Sequence, residues 1–178
     1  MSRFEYYYHN VLRYELISRY NYTSSYQVPS ISSVHLHITG KRIIEDNKNI
    51  FPPMLALEMI GRQKAHLRKA KHSVSGFKLR KGAVIACQVT LRDRDAVYPA
   101  LEYLVTSVLP KEERLQRKTD GQGNVSFGVT DCFAYKELEE EYDKFSRWMK
   151  GLQVTVTMSS VNLLAKKTLL QGFQFPVK

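Results

Sequence analysis

The sequence contains few cysteines, no long apolar run and no repeated or low-complexity segment. Two cysteines, Cys87 and Cys132, are too few for a disulfide scaffold and lack metal-ligand spacing. We therefore expect buried free thiols in a reducing compartment. No apolar stretch approaches the roughly 18 residues that a membrane span requires. Because linkers rich in Pro, Gly or Ser are also missing, we predict a single domain over residues 1–178.

The residue types that carry catalysis do not fall into a recognisable pattern. The glycines of residues 121–128 have neither the spacing of a dinucleotide fingerprint nor the Lys-Ser/Thr of a phosphate-binding loop, so they predict a turn before a strand. Asp93 and Asp95 are typical of a turn followed by a helix cap. His35 and His37 share a strand face, but no third metal ligand has suitable spacing. We predict no enzyme activity, catalytic residue, metal or cofactor; the alternative is an RNA-processing enzyme.

Alternation of apolar and polar residues is the main structural signal. It predicts four strands with one buried face each, within residues 33–38, 84–92, 125–131 and 152–158, and a shorter strand at 75–80. Periodicity and end signals predict helices within residues 1–22, 52–61, 95–110, 135–151 and 159–173. Gly151 is expected to cap the C-terminus of the fourth of these helices, and Ser159 or Ser160 the N-terminus of the fifth. Such elements bury their apolar sides together only in two layers. The expected fold is α+β, with an antiparallel or mixed sheet, helices packed on one face and a free polar face.

The N-terminal segment is rich in tyrosine and contains Glu5 and Glu15. A secretory signal or a typical organellar presequence does not have this composition. Leu12, Leu16 and Tyr20 instead fall on one stripe, which predicts an amphipathic helix within residues 1–22.

Positive charge is concentrated in one short segment. The chain has 27 Lys and Arg against 17 Asp and Glu, a net charge of +10, and residues 62–82 contain eight of the cations and no acid. Such a charge balance predicts a polyanionic partner, which is a nucleic acid in the first place and an anionic membrane in the second. The segment lacks the apolar residues that would anchor it in a membrane, which favours nucleic acid. Flanked by Gly61 and Gly82, the segment is expected to be a long loop or hairpin that contacts RNA phosphates, with Phe77 stacking on a base or ribose. A merely solvated loop is the alternative.

Several motifs, in order, resemble one known family. They are "GFKLRKGAVIACQVTLRDRDAVYPALEYLVTSVLP", "DGQGNVSFGV", "GLQVTVT" and "LLQGFQFP", preceded by "YQVPSISSVHLHI" and "PPMLALEMIGRQKAHLRKAKHS". Over roughly residues 20–176 the chain is similar to the 5S-rRNA-binding protein family of the bacterial-type large ribosomal subunit, the fifth in that subunit's protein series. The resemblance implies an α+β structural protein of the central protuberance. Its implied partners are rRNA, P-site tRNA and ribosomal proteins of the protuberance and of the small-subunit head.

The resemblance also implies three groups of site residues. For rRNA they are the matching positions Gln63, Phe77 and Thr90, to which the polar face and the basic segment add His37, Lys64 and Arg92. The loop around residues 69–82 would reach the P-site tRNA through Lys69, Lys71, Lys78, Arg80 and Lys81. The loop of residues 111–124 would face the small-subunit head and form an intersubunit bridge through Arg114, Arg117, Lys118, Gly121, Gly123 and Asn124.

Departures from the family pattern indicate a divergent member. His37 stands where Asn is usual, Ser33 where a basic residue is usual, and Arg62 where glycine is usual; after Pro110 the chain reads "KEERLQRK" in place of "RxRDFRG". We therefore expect a mitochondrial ribosome, with the bacterial cytoplasm as the alternative, and no membrane association. Synthesis inside the organelle would account for the lack of a presequence. A regulator that binds RNA off the ribosome is the remaining alternative.

Overall fold

The computed structural model describes residues 2–40, 43–44, 46–77, 79–112, 116–149, 151–160 and 162–176. Its strands are β1 (Ser30–Thr39), β2 (His66–Lys69), β3 (Val84–Leu91), β4 (Gln116–Thr119), β5 (Val125–Val129) and β6 (Leu152–Ser159). Helix α1 comprises Arg3–Tyr7, a π-helical stretch Tyr8–Leu12 and Arg13–Tyr20, and α2 (Phe51–Gly61) follows a 3-10 turn at Asn47–Ile50. Helix α3 (Arg94–Tyr103) continues through Leu104–Val108 and Leu109–Lys111, and α4, α5 and α6 are Lys136–Glu139, Tyr142–Phe145 and Leu163–Gly172.

The described strands form one antiparallel sheet in the order β2-β3-β1-β6-β5-β4, which confirms the predicted α+β class. Four of these strands, β1, β3, β5 and β6, occupy the stretches in which alternation predicted strands. Strand β2 pairs with β3 so that His66 lies opposite Gln88 and Arg68 opposite Ala86. A register shift follows between Arg68 and Lys69.

The chain divides into two compact units, and the first comprises Met1–Val34, Leu91–Phe127 and Thr155–Lys178. Helix α1 packs against α3 and α6 in this unit. The predicted stripe of α1 is confirmed: Leu12 and Leu16 are buried, and the Tyr20 hydroxyl shares a 2.7 Å hydrogen bond with the Thr168 hydroxyl. Each such leucine stabilises the fold by about 1.5–3 kcal/mol through removal of apolar surface from water. The largest side chains that are fully buried here include Leu16, Leu101, Leu104, Phe127, Leu169 and Phe173.

The second unit comprises His35–Thr90 and Gly128–Val154. Helix α2 packs against α4 and α5, and Leu36, Leu57 and Leu138 are among its fully buried side chains. Cys87 and Cys132 are both buried free thiols, as predicted. The single-domain organisation stays a prediction.

The strand predicted at residues 75–80 is not formed by the residues of this range that the structure describes, 75–77 and 79–80. Residues Ser75–Phe77 make a 3-10 turn, and Leu79 makes a single antiparallel bridge with Val74. The alternation pattern was misleading here because Phe77 points to solvent, with 76% of its surface exposed. Without a buried face, the segment gains nothing from pairing as a strand in the sheet. The hairpin that was one of two expectations for the basic segment is confirmed by the pairing of β2 with β3.

The helix predicted over residues 135–151 is broken into α4 and α5. The backbone of Glu141, which lies between them, is not helical (φ −114°, ψ 29°). Glu137 and Glu141 are like charges at i,i+4 spacing, which destabilises a continuous helix. Gly151, predicted as a C-cap, has another role: a Cβ there would lie 3.3 Å from the Val129 carbonyl oxygen, so glycine permits a close backbone approach.

Two further predictions are corrected. Residues 111–124, expected to be a loop, contain the strand β4, which lies beside β5 in the sheet. Helix α6 is capped neither by Ser159 nor by Ser160 but by Asn162, whose Oδ1 accepts from the amides of Leu164 (3.0 Å) and Ala165 (3.3 Å). Within the described ranges, the helices are too short or too polar to cross a membrane.

Candidate nucleic-acid interface

The basic segment forms an ordered hairpin, and residues 66–90 are called the basic hairpin below. Beyond the paired strands, the Ala70 amide donates to the Ala83 carbonyl (2.8 Å) and the Gly82 amide to the Ala70 carbonyl (2.9 Å). Nearer the tip, Val74 and Leu79 exchange amide-to-carbonyl hydrogen bonds of 2.9 and 3.1 Å. Because the backbone is paired almost to its tip, the hairpin presents its side chains from a defined scaffold.

The side chains of the hairpin's tip point to solvent. Phe77 is exposed on the 3-10 turn. Four of the five predicted tRNA-facing cations are exposed, and the fifth, Lys78, lies outside the described residues; the four are Lys69, Lys71, Arg80 and Lys81. An exposed aromatic ring among cations can stack on a base while the cations neutralise phosphates.

A hydrogen-bonded network lies on the polar face of β1, β2 and β3. The Arg68 Nε donates to Gln88 Oε1 (2.7 Å), and the Gln88 amide nitrogen lies 3.1 Å from both His35 Nδ1 and Thr90 Oγ1. Thr90 Oγ1 lies 3.0 Å from the same His35 nitrogen. An amide NH2 only donates, so the Gln88 side chain can donate to His35 Nδ1 in the tautomer whose proton is on Nε2. We call Arg68, Gln88, His35 and Thr90 the polar network.

His37 lies two residues along β1 from His35, and its surroundings favour the neutral imidazole. Burial lowers the pKa of His37, and the nearby Arg68 guanidinium lowers it further. A neutral ring both donates and accepts hydrogen bonds, as the asparagine usual at this position in the resembling family does.

Three cross-strand hydroxyl pairs occupy the strands of the first unit. Ser30 Oγ lies 2.7 Å from Ser159 Oγ, Ser33 Oγ 2.5 Å from Thr157 Oγ1, and Ser126 Oγ 2.9 Å from Thr155 Oγ1. Ser33, which stands where the resembling family has a cation, is buried (6% exposed). In this chain that position therefore contributes an internal hydrogen bond to the sheet in place of a positive charge.

Four other predicted rRNA residues, Gln63, Lys64, Phe77 and Arg92, do not belong to the polar network. Gln63 and Lys64 are exposed between α2 and β2, just after Arg62, which adopts a left-handed conformation (φ 48°). No hydrogen bond or ring contact within the described ranges joins Gln63 or Phe77 to the polar network. Arg92 is exposed and belongs to the first unit.

The predicted intersubunit segment ends in a tightly bonded turn. Asp120 Oδ1 accepts from the amides of Gln122 (3.0 Å) and Asn124 (2.8 Å), and Oδ2 from the Asn124 side chain (2.8 Å). Those hydrogen bonds hold the pKa of Asp120 below its usual value. Asn124 Oδ1 also accepts from the Met158 amide (3.2 Å), so the Asn124 side chain is committed to the fold.

Lys166 anchors the same turn from α6. Its side chain is buried (5% exposed), and Nζ donates to the Gln122 carbonyl (2.7 Å). Gly123 has a positive φ of 80°, and a Cβ there would lie 2.9 Å from Leu163 Cδ2 and 3.1 Å from Lys166 Cδ. Gly123 is therefore required by the turn itself, whereas Gly121 has open space around its Cα.

The cations of this segment are presented in different ways. Lys118 is exposed on β4, while Arg117 donates to the Pro176 carbonyl near the C-terminus. Arg114 lies outside the described residues. Among the predicted bridge cations in the described residues, Lys118 is therefore the one that is exposed and makes no hydrogen bond or ion pair.

Sequence reasoning missed three members of the polar network as site residues: Arg68, Gln88 and His35. Alternation placed Gln88 and His35 on the polar face, a signal sufficient to include them. Arg68 joins them only through the β2–β3 register, which no local pattern reveals. Nothing in the sequence indicates that Lys166 is buried and holds a turn, since a lysine in a helix is normally exposed.

An α+β fold whose polar sheet face carries amide, imidazole and hydroxyl groups, with a cationic hairpin on the same unit, is typical of an RNA-binding protein. The family model described as the C-terminus of the ribosomal L5 family matches residues 84–177. The large ribosomal subunit protein uL5m of Reclinomonas americana is 35% identical, with 99% of this chain and 98% of the relative covered. The uL5 proteins of Wolbachia sp. subsp. Brugia malayi (38%; 90% and 91% covered) and Verminephrobacter eiseniae (35%; 100% and 99% covered) are also similar.

The chain therefore belongs to the uL5 family of large ribosomal subunit proteins. It is a structural constituent of the large subunit, associated with rRNA and ribosomal proteins, and not an enzyme, as predicted. Both mitochondrial and bacterial proteins are among its relatives.

Proposed function

We propose that this protein binds 5S rRNA, where its ribosome retains one, in the central protuberance of the large subunit. The polar network carries this proposal, because four side chains from three strands are pre-oriented on one sheet face. Hydrogen-bonding groups held in place lose little entropy on binding. Ribose hydroxyls and phosphate oxygens are the RNA groups that such a face recognises.

The basic hairpin supplies the electrostatic part of binding. Its exposed cations neutralise phosphates and release counterions. Neutral His37, beside Arg68, adds a hydrogen-bonding group without further charge. Gln63, Lys64, Phe77 and Arg92 are exposed and complete the proposed rRNA contacts.

The hairpin's tip is proposed to contact the elbow of the P-site tRNA. Exposure of the cations Lys69, Lys71, Arg80 and Lys81 supports this role, since a tip that was packed against its own domain would not reach a partner. The turn at residues 120–124, with Lys118 exposed on the strand before it, is proposed to form the intersubunit bridge. The rigid hydrogen bonding of Asp120 supports a fixed shape for that contact.

A mitochondrial ribosome is the proposed location. The similarity to the mitochondrial protein of Reclinomonas americana across both chains supports it, together with the departures at positions 33, 37 and 62. Purification of ribosomes from mitochondria and from the cytosol of the source organism, followed by mass spectrometry, tests this: the protein should appear in the mitochondrial particles.

The 5S proposal is tested by removing the polar network's hydrogen bonds without changing charge. Gln88→Leu and Thr90→Val keep side-chain volume, and Gln171→Leu, at an exposed position of helix α6, is the matched control. Loss of hydrogen bonds worth ~1–2 kcal/mol should weaken 5S rRNA binding about tenfold for the first two variants and leave the control unchanged. The measurement is a filter-binding titration with 5S rRNA and with an unrelated rRNA stem of equal length.

Two results would contradict the proposal. Equal affinity for 5S rRNA and for the unrelated stem would remove the 5S assignment. Equal affinity of all three variants and the parent protein would show that the polar network does not contact RNA.

A further inference from the structure

A cleft of about 530 Å³ lies in the first unit, between α1, the start of β1 and the start of α3. Its most distinctive lining residues are three arginines, Arg13, Arg92 and Arg94. Arg13 belongs to α1, whereas Arg92 and Arg94 lie together where α3 begins, so the fold joins two distant segments into a positive site that the charge pattern along the chain does not show. The basic hairpin, by contrast, lies in the second unit.

The three guanidinium groups are not neutralised by the protein. Within the described residues, none of them has an ion pair or a hydrogen bond, and no carboxylate lines the cleft. Asp93 and Asp95, the acids nearest in sequence, are exposed and do not line it. Unpaired cations that face one cleft repel one another, and an anion relieves that repulsion.

The floor of the cleft is rigid. The Tyr8 hydroxyl donates to the Pro29 carbonyl (3.0 Å), and the Tyr8 and Tyr98 rings, which also line the cleft, are buried with their centroids 6.0 Å apart. Burial raises the pKa of Tyr8, and Arg13 and Arg94 oppose that rise, which places both guanidinium groups near the phenol. A fixed floor maintains the shape of the cleft without a ligand.

The rim supplies the other groups that a nucleotide needs. The hydroxyls of Ser30 and Ser159, which line the cleft, lie 2.7 Å apart, and Ser159 Oγ also donates to the Ser30 carbonyl (3.2 Å). The Ser30 hydroxyl oxygen can still accept a hydrogen bond from a ribose hydroxyl. Tyr26 also lines the cleft and is 98% exposed, so its ring has no intramolecular partner to bury it. An exposed tyrosine beside a phosphate site is the usual stacking platform for an unpaired base.

We propose that this cleft binds a backbone phosphate of single-stranded RNA through Arg13, Arg92 and Arg94, with Tyr26 stacked on the adjoining base. The inference rests on the protein's proposed role in binding rRNA, but it assigns a second contact, independent of the basic hairpin. Guanidinium forks match the paired oxygens of a phosphate. The stacking residue distinguishes RNA from an acidic protein segment, which would use the arginines but not the ring.

The cleft is tested directly by NMR of the full chain, through the arginine Nε–H signals. Titration with a short oligouridylate should shift the signals of Arg13, Arg92 and Arg94, and titration with polyglutamate should shift them less. A triple Arg→Gln variant of these positions should show a salt slope of log affinity smaller by about 0.7 for each phosphate that it no longer neutralises. A triple Arg→Lys variant keeps the charge and the fold, and it should bind with an affinity between those of the other two proteins.

Matched control variants distinguish RNA binding at the cleft from a general effect of net charge and from binding by the hairpin. Arg19→Gln, Lys48→Gln and Lys111→Gln together remove the same charge at exposed positions and should leave most of the salt slope in place. Tyr26→Ala should weaken oligouridylate binding about tenfold, while Tyr26→Phe keeps the ring and the affinity.

Three results would overturn the proposal. If the three arginine signals stay fixed while the Arg80 signal moves, the cleft is not an RNA site, although the hairpin remains one. If polyglutamate moves them and oligouridylate does not, the cleft binds an acidic protein segment. If Tyr26→Ala binds as well as Tyr26→Phe, no base stacks there. Failure of the proposed function is a separate observation, the absence of 5S rRNA selectivity in the parent protein.

Discussion

The exposed cations of the basic hairpin offer a direct measurement of how RNA binding works. Replacing them together with alanine removes four charges and leaves the hairpin's backbone hydrogen bonds intact; the positions are Lys69, Lys71, Arg80 and Lys81. The Lys81 amide, which donates to Ser73 Oγ (2.9 Å), is kept by this change. We therefore expect the variant to fold and to differ from the parent in RNA affinity.

The size of the effect follows from counterion release. Each duplex phosphate that is no longer neutralised reduces the slope of log affinity against log salt by about 0.9, so four phosphates give a reduction of up to about 3.6. Between ~50 and ~200 mM salt, the affinity of the parent protein should then fall by up to about a hundredfold more than that of the variant. The assay is fluorescence anisotropy with labelled 5S rRNA at several salt concentrations, after thermal unfolding has shown that both proteins are folded.

A control variant decides whether position matters. Arg19, Lys48, Lys111 and Lys167, which lie outside the hairpin, lose the same four charges on substitution by alanine. An equal fall in slope for both variants would mean that only net charge matters, and an unchanged slope for the hairpin variant would show that its cations do not touch rRNA phosphates. Either result would refute the reasoning for the hairpin.

Three further predictions concern stability and proton binding. Gly123→Ala should lower the free energy of unfolding by about 1–2 kcal/mol because of its positive φ, whereas Gly121→Ala should stay within ~0.5 kcal/mol, as urea unfolding would measure. Burial raises the pKa of the Cys87 thiol to about 12 from 9.0, so the native thiol should resist alkylation at pH 8 and react once urea unfolds the chain. The same shift stabilises the native state below pH 9, and this contribution is lost as the pH rises toward about 12. Arg68→Gln removes one of the two causes that lower the pKa of His37, so the NMR titration midpoint of His37 should rise; an unchanged midpoint would leave burial as the sole cause.

The interior strands were predictable, and the edge strands were not. Strands β1, β3, β5 and β6 bury one face, so their apolar residues alternate and can be recognised along the chain. Strands β2 and β4 are the two edges of the sheet. All four residues of β2 are exposed, and an exposed edge that is rich in cations leaves no alternation to detect.

The candidate site likewise combines residues that local pattern predicts with a contact that it does not. Alternation assigned His35, Gln88 and Thr90 to a polar face, and ordered motifs identified the family. The link from Arg68 to Gln88 depends on the antiparallel register of β2 and β3, which brings together residues twenty positions apart. A pairing of that kind is decided by the whole sheet and leaves no trace in either segment alone.

The amino-acid sequence by itself determined the α+β class, the buried thiols, the family and the place of the main positive charge. Each of these depends on composition, on local periodicity or on motifs, all of which can be read along the chain. Only the tertiary structure decided that Asn124 and Lys166 stabilise a turn and that Arg13, Arg92 and Arg94 share a cleft. The physical reason is that burial and charge neutralisation depend on neighbours in space, and those neighbours come from distant parts of the chain.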